Sequence, residues 1–360
     1  MNTKPIRLLV VDDSALARKV IINSLEPYKD IEIVGTAVDP YFARDKILEL
    51  SPDVITLDIE MPRMDGLTFL KLLMKHRPMP VIIMSSLTAA GSTKALEALQ
   101  AGAVDVMGKP DGAFSAHSNG EILAEKVRTA AAACLRNQTQ NSPASYKPAT
   151  ASAPAYRTFA ARRLILLGAS TGGTEALKHV LMSMPGDLPG ICIVQHIPAY
   201  FSKAFADRLN TLCAMEVREA CQGDIIQPGL ALVAPGGHHL LVKWRDSRYV
   251  VELSDGPAVH HQRPAVDIMF DSAVKAGAGP HTVAALLTGM GSDGATGLLH
   301  LRDAGARTIA QNEETCVVYG MPREAARLGA AQHILPLERI GAALDRANSE
   351  PLKGNYEQSN

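Results

Sequence analysis

The chain has no Cys-x-x-Cys pair: its five cysteines, Cys134, Cys192, Cys213, Cys221 and Cys316, are odd in number and scattered. That argues against a disulfide framework or a Cys-based zinc site and fits a reducing, cytoplasmic compartment. An excess of charge of either sign is missing too. The 36 Lys and Arg nearly cancel the 37 Asp and Glu, leaving a net charge of -1, so no global field draws the chain to nucleic acid or anionic lipid. The first apolar run, Ile6 to Val11, is far too short for a signal-peptide core or a membrane span and stops at Asp12-Asp13, so no direct membrane insertion is expected. What is present is 360 residues, 47% apolar and 20% charged, too many for one ordinary core and enough for two domains.

Short apolar runs at Ile6 to Val11, Ile31 to Val38, Val54 to Leu57, Val81 to Met84 and Val104 to Met107 predict five strands. Helical periodicity fills the gaps, at Ala15 to Leu25, Tyr41 to Leu50, Gly66 to Lys75, Ser92 to Ala101 and Glu121 to Leu135. Alternating βα units imply a parallel sheet with helices on both faces, whose chemistry gathers at the carboxyl ends of the strands. Asp12 and Asp13 close the first strand, Asp58 the third, Ser85 the fourth, and Lys109-Pro110 the fifth. Three converging carboxylates repel one another, and a bound Mg²⁺ resolves this, because it is a hard cation that takes oxygen ligands. Asp58 can then act as nucleophile towards a phosphoryl donor, with Lys109 and the Ser85 hydroxyl contacting the new phosphoryl oxygens. Turn aspartates and a solvated lysine are the plainer reading of any one of these residues; four strand ends carrying the set together favour the functional one.

Over residues 1 to about 125 these motifs, with Leu57-Asp-Ile-Glu60-Met-Pro-Arg-Met-Asp-Gly66, resemble the receiver domain of two-component response regulators, a flavodoxin-like fold. The resemblance implies that Asp58 is phosphorylated, that Asp13, Asp58 and the backbone carbonyl of Glu60 bind Mg²⁺ with Asp12 assisting, and that Ser85 moves to the phosphoryl group. Receivers commonly carry an aromatic residue three before the lysine, and this chain has Val106 there. A final helix is expected to continue to about 136. From 137 to 161 the composition turns to Ser, Thr, Pro and Ala without an apolar period, which predicts a flexible linker reaching roughly 25 to 30 Å.

A second βα region follows. Its strands are expected at Leu164 to Leu167, Ile191 to Gln195, Leu230 to Ala234, Thr282 to Leu287 and Thr308 to Ala310. Its helices are expected at Thr174 to Met184, Phe201 to Leu212, Ala265 to Ala276, Ala295 to Ala304 and Arg323 to Leu328, with a hairpin of His238 to Val242 and Tyr249 to Leu253. Gly168-Ala-Ser170-Thr-Gly172 fits a nucleophile elbow, in which small residues allow a sharp strand-to-helix turn that exposes the serine hydroxyl. His196 follows another strand in Gln195-His-Ile-Pro198, and Asp293 lies in Thr288-Gly-Met290-Gly-Ser-Asp293-Gly after a third. Serine needs a base to take its proton, and a histidine base needs a carboxylate to orient it. Ser170, His196 and Asp293 can supply those roles, with backbone N–H groups of Thr171 and Met290 as oxyanion donors. Each has a bland alternative: Ser170 and Asp293 as helix caps, His196 as a satisfied core histidine. The pairs His238-His239 and His260-His261 lack the acidic or cysteine cluster a metal site needs, and no cofactor is expected in this region.

With these motifs, and with Ala234-Pro-Gly-Gly-His238 and Arg263-Pro-Ala-Val-Asp267, the whole chain resembles the chemotaxis protein-glutamate methylesterase/glutamine deamidase family, a receiver joined to a serine hydrolase. The expected limits are a receiver over 1–125, a linker over 137–161, a second doubly wound, mostly parallel α/β catalytic domain over 162–348 and a polar tail over 349–360. Where the family commonly has serine after Arg-Pro, this chain has Ala265. The resemblance implies hydrolysis of γ-glutamyl methyl esters on cytoplasmic helices of methyl-accepting chemotaxis receptors, releasing methanol, and in some relatives deamidation of receptor glutamines. It also implies a chemotaxis histidine kinase as phosphodonor and a receiver that covers the hydrolase cleft until Asp58 is phosphorylated. Two other readings are a response regulator with a nucleic-acid-binding output domain and one with a nucleotide-phosphate cradle. Residues after 160 show neither a basic face with a helix-turn-helix nor the Gly-Lys-Ser/Thr ending of a P-loop.

Overall fold

The computed structural model describes residues 4–86, 88–109, 116–133 and 162–349. The expected linker, Pro110, Cys134 and the tail beyond Ser349 lie outside the described residues. The chain divides into two compact units, one carrying a five-stranded sheet and the other a seven-stranded sheet.

In the first unit the elements alternate as β1 Ile6–Val11, α1 Ala15–Leu25, β2 Ile31–Ala37, α2 Pro40–Leu50, β3 Val54–Asp58, α3 Gly66–His76, β4 Val81–Ser85, α4 Ala89–Gln100, β5 Asp105–Gly108 and α5 Ala116–Ala131. The strand order is β2-β1-β3-β4-β5, every pair parallel. Strands β3 and β4 are buried along their whole length, which is why they read as unbroken apolar runs rather than alternating ones. Polar side chains start the helices. Ser14, Asp39, Asp65 and Thr88 each accept a hydrogen bond from a first-turn N–H, and Thr88 makes α4 begin three residues earlier than apolar periodicity predicts.

The chain continues with β6 Leu164–Ala169, α6 Gly173–Met182, β7 Gly190–Gln195, α7 Ala199–Asn210, β8 Glu216–Glu219, β9 Leu230–Val233, β10 His239–Arg245, β11 Arg248–Ser254, α8 Val266–Lys275, β12 Thr282–Leu286, α9 Ala295–Asp303, β13 Arg307–Gln311, α10 Met321–Arg327, β14 His333–Leu335 and α11 Leu337–Ser349. The second unit's sheet runs β14-β13-β12-β6-β7-β9-β8, all parallel, and β10 and β11 form a separate antiparallel hairpin. Chain order reverses beside β6, which lies between β7 and β12, so the loops after these three strands meet at a switch point where such sheets bind ligands. Beneath that edge Leu166, Val194, Leu286, Val266 and Phe270 pack in one buried cluster, giving the loops a rigid base.

Candidate active site

The parallel register of the first sheet aligns its carboxyl ends. Val11 pairs with Leu57, Asp58 with Met84, and Ser85 with Gly108, so Asp12, Asp58, Ser85 and Lys109 come to one edge. Asp12 and Asp58 are fully buried, while Asp13 is exposed. Lys109 Nζ lies 2.7 Å from Asp58 Oδ2 and 3.1 Å from Asp12 Oδ2, ion-pair contacts in which neither oxygen receives a well-aligned hydrogen bond. The other oxygens are taken by backbone: Ser14 N–H donates to Asp12 Oδ1 at 2.9 Å and Glu60 N–H to Asp58 Oδ1 at 3.0 Å. Burial pushes the Asp58 carboxyl up to about 6, and the charge of Asp12 adds to this against the opposing pull of Lys109 and the Glu60 N–H. Burial works against the charge on Lys109, but Asp58 and Asp12 outweigh it and hold its ammonium above the usual lysine range. Asp12, Asp13 and Asp58 each bring one oxygen within 4.8 Å of the others. Three hard oxygens, two of them buried with one cation between them, fit a divalent ion such as Mg²⁺. Ser85, at the same edge, donates instead to the Gly91 carbonyl at 3.1 Å, and Val106 is buried in β5.

In the second sheet, Ser170 directly follows β6 and is not a helix cap. Gly172, at φ +76°, occupies the cap position of α6 and makes no side-chain bond to it. Only glycine fits there, since a Cβ would lie 2.6 Å from the Val317 Cβ and the backbone is left-handed. The elbow is tied down from three sides: Ser170 N–H donates to the Thr288 carbonyl at 3.0 Å, Gly173 N–H to the Ser170 carbonyl at 2.7 Å, and Gln195 Nε2 to the same carbonyl at 2.8 Å. His196 N–H reaches the Ala169 carbonyl at 3.1 Å, which holds the end of β7 against the end of β6. The loop after β12 is equally close. A Cβ on Gly289 would sit 2.6 Å from Ser170 Cβ and 2.5 Å from Met321 Sδ, so the peptide beside Met290 can approach the serine only because that residue is glycine.

His196 and Asp293 meet in this edge, 97 residues apart in sequence, with Nε2 2.7 Å from Oδ2. Both side chains are almost fully buried, at 5% and 2% exposure. Asp293 is not a cap on α9, where Gly294 holds that position; its oxygens instead accept N–H bonds from Val266 at 2.7 Å and Asp267 at 2.9 Å at the start of α8. Burial alone would raise this carboxyl, but the bond and charge of His196 and the two N–H donors more than offset it and hold Asp293 below the usual carboxylate range. With Nε2 on Asp293, Nδ1 is the ring nitrogen left for proton transfer. No hydrogen bond of Ser170 Oγ is present among the described residues, and catalytic contacts of this kind commonly tighten only with substrate in place. Thr171 and Met290 stand in the two loops that flank Ser170, as the sequence places them.

Sequence reasoning missed the supports of this edge. Thr288 accepts from Ser170, donates through Oγ1 to the Thr171 carbonyl at 3.0 Å, and is itself anchored by Gln311, whose Oε1 takes its N–H at 2.8 Å. In the sequence Gln195 reads only as the neighbour of His196, yet its amide braces the elbow. His239 is a structural residue: Nε2 faces the Pro257 carbonyl at 2.9 Å and Nδ1 accepts from Ala265 at 3.1 Å. His238 pairs with Asp255. His260 reaches Asp267, and these two with Asp293 are the other acidic-histidine group besides the first sheet's aspartates among the described residues.

Fold and geometry define a class: a parallel α/β domain with serine, histidine and aspartate on three neighbouring strand ends, in one chain with a doubly wound domain bearing an acid cluster and a lysine. The chain belongs to the CheB methylesterase family, whose domain matches residues 165–344, and carries a response regulator receiver domain matching residues 8–114. It is 52% identical over 342 residues to protein-glutamate methylesterase/protein-glutamine glutaminase 2 of Syntrophus aciditrophicus, covering 95% of this chain and 98% of that protein. It is 50% identical over 353 residues to the protein of the same designation from Pseudomonas aeruginosa, covering 98% of this chain and 99% of that one. Among solved structures it is similar to the Thermotoga maritima CheB methylesterase catalytic domain, with 35% identity and a TM-score of 0.50 over 51% of this chain and 97% of that domain. The alternative readings, a nucleic-acid- or nucleotide-binding output module, are not supported. No helix among the described residues is long and apolar enough to cross a membrane.

Proposed function

We propose that this chain is a phosphorylation-regulated protein-glutamate methylesterase acting in the cytoplasm on methyl-accepting chemotaxis receptors, with deamidation of receptor glutamines as a second reaction of the same site. The observation that carries the reading is the buried His196–Asp293 pair at 2.7 Å, with Asp293 anchored by two backbone N–H groups, at the edge where Ser170 emerges. Ser170 Oγ attacks the γ-carbonyl of the methyl ester while His196 Nδ1 takes its proton, and Asp293 stabilises the imidazolium. The oxyanion is received by the N–H groups of Thr171 and Met290. The C–O bond to the methoxy group then breaks, His196 returns the proton, and methanol leaves. Water, deprotonated by His196, attacks the acyl-serine and releases glutamate with Ser170 restored.

Regulation lies in a receiver domain over 1–125, with 137–161 as the linker to a catalytic domain over 162–348. Asp58 accepts a phosphoryl group from the chemotaxis histidine kinase, and Lys109 and Ser85 bind its oxygens, Ser85 leaving Gly91 to do so. Asp13, Asp58 and the Glu60 carbonyl, with Asp12 assisting, would hold Mg²⁺, which would neutralise charge on the phosphoryl oxygens. The test is methanol release from methylated receptor membranes by the full chain and by Ser170→Ala. Release that disappears in Ser170→Ala supports the assignment; release that persists there removes Ser170 as nucleophile.

A further inference from the structure

Helices α8 and α9 start without caps of their own. Neither Ala265 nor Gly294, at their cap positions, makes a side-chain bond. Each helix instead borrows a carboxylate from the other's side of the junction. Asp293, just before α9, accepts from Val266 and Asp267 in the first turn of α8, and Asp267, in α8, accepts the Gly297 N–H in the first turn of α9 at 2.7 Å. Carboxylates at helix N-termini are stabilised by the unpaired N–H groups and the helix dipole, so the exchange locks the two starts together. Asp293 is the residue that orients His196. Its position is therefore fixed by the first turn of α8, and that turn is fixed to α9 through Asp267.

Asp267 Oδ2 has its own partner, His260 Nε2 at 3.0 Å. His260 is presented by a tight turn, in which Val259 and Gln262 exchange backbone bonds at 3.1 and 2.9 Å and both central residues, His260 and His261, are left-handed at φ +51° and +58°. A two-residue turn of this kind strongly prefers Asn-Gly or Gly-Gly, and the left-handed conformation is unfavourable for a residue with a Cβ. A strained turn that delivers an imidazole to a buried carboxylate is better explained by a role for the pair than by local propensity. The charged or titratable groups around Asp267 are His260 from this turn, Asp293 with His196 behind it from the strand ends, and, one turn further along, Asp271 of α8 with His300 of α9 at 2.7 Å. Burial and the charge of Asp293 push the Asp267 carboxyl up, while the Gly297 N–H and His260 pull it down.

We propose that Asp267, held by His260, is a positioning residue for ester hydrolysis: it fixes the α8–α9 junction on which Asp293 is mounted, and through Asp293 the ring of His196. The proposal rests on the Ser170–His196–Asp293 reading. It does not make Asp267 or His260 touch substrate. A displacement of about 1 Å in a reacting group costs on the order of 100-fold in rate. Loosening Asp293 therefore lowers kcat and leaves KM nearly unchanged.

The test compares full-length wild type, Asp267→Ala, Asp267→Asn and His260→Gln in kcat and KM for methanol release, in circular dichroism, and in the low-field proton NMR signal of the His196–Asp293 bond. Asp267→Asn keeps an oxygen for Gly297, and His260→Gln keeps a donor for Oδ2. The expected result is a kcat lower by about 30-fold in Asp267→Ala, by less than about tenfold in Asp267→Asn and by about threefold in His260→Gln, with KM within about twofold throughout. The low-field proton moves upfield or vanishes in Asp267→Ala while the folded spectrum is kept. If Asp267→Ala does not fold, the same trend in Asp267→Asn and His260→Gln decides. Folded variants with wild-type kcat and an unmoved proton signal overturn the proposal. Wild-type release that does not depend on Ser170 overturns the triad reading instead, so the two failures are told apart.

Discussion

Both units place their polar groups at the carboxyl ends of parallel strands beside a switch point, yet the two sites are electrostatic opposites. At the first, Asp58 is buried beside Asp12 with one lysine between them, and its carboxyl is pushed up to about 6. At the second, Asp293 is as deeply buried but receives His196 and two backbone N–H groups, and its carboxyl is pulled down. Burial is common to the two; the number of aimed donors decides the sign. The first site is one that gains from taking up a cation. At the second, the His196–Asp293 pair is already held by fixed donors.

The largest way to break the comparison is at the second site. His196→Ala should lower kcat for methanol release by about 10⁴-fold, and Asp293→Asn by about 10³-fold, in proteins whose circular dichroism matches wild type. A loss under tenfold in either would take that residue out of the mechanism. Next comes the close approach that brings the Met290 loop to the elbow. Gly289→Ala forces a Cβ to within 2.6 Å of Ser170 Cβ, and should cost about 2 kcal/mol of stability or about 100-fold in kcat; a variant normal in both would show that the loop has room to shift.

The smallest effect sharpens the contrast in sign. Folded Asp58 holds its proton more tightly than the unfolded chain, whose carboxyl sits at 3.8. Without divalent ions, this group's contribution to the stability of the first unit therefore falls as pH rises from about 4 to about 6, by roughly two pKa units or up to about 3 kcal/mol. Asp293 does the reverse: its stabilisation is present above 3.8 and is lost as pH falls through its lowered folded value. Hydrogen exchange in β3 and β12 reads the two units separately. Asp58→Asn should flatten the pH 4 to 6 decline in β3 and add on the order of 1 kcal/mol at pH 7, less than the full shift because the Lys109 ion pair goes with it. Added Mg²⁺ should protect wild-type β3 at neutral pH and protect Asp58→Asn less. An unchanged decline in the variant would mean that another group sets it.

Much of the positioning was legible in the sequence because a doubly wound sheet turns strand ends into sites: a buried apolar run that stops at Asp, Ser, His or Lys marks the edge directly. Strands β1, β3, β4, β6, β7 and β12 fall within two residues of the expected bounds for this reason. Three elements escaped. Strand β8 reads Glu-Val-Arg-Glu at the sheet's margin, β14 is three residues long, and α11 has an apolar stripe interrupted by charges and Gly341. Edge strands bury little, so they leave little pattern, whereas α11 does carry a stripe of Leu337, Ile340 and Leu344 at i, i+3 and i+7 that the reading of the sequence passes over. The supports of the triad were illegible for another reason. The Asp267–Gly297 and Thr288–Gln311 bonds join residues 30 and 23 apart, and nothing local in either partner announces the other. Asp293 beside Gly294 looked as much like a cap as a catalytic acid; it turns out to serve α8, not the helix it precedes.

The proposed function requires the two sites to work as one enzyme, the first gating the second. It is tested most directly by the initial rate of methanol release from methylated receptor membranes, with Mg²⁺ and a small-molecule phosphodonor, in wild type and Asp58→Asn. The expected rate rises several-fold on adding phosphodonor to wild type and does not respond in Asp58→Asn, and methanol release is lost on Ser170→Ala with or without phosphodonor. An equal rise in Asp58→Asn, or a wild-type rate indifferent to phosphodonor, would contradict it.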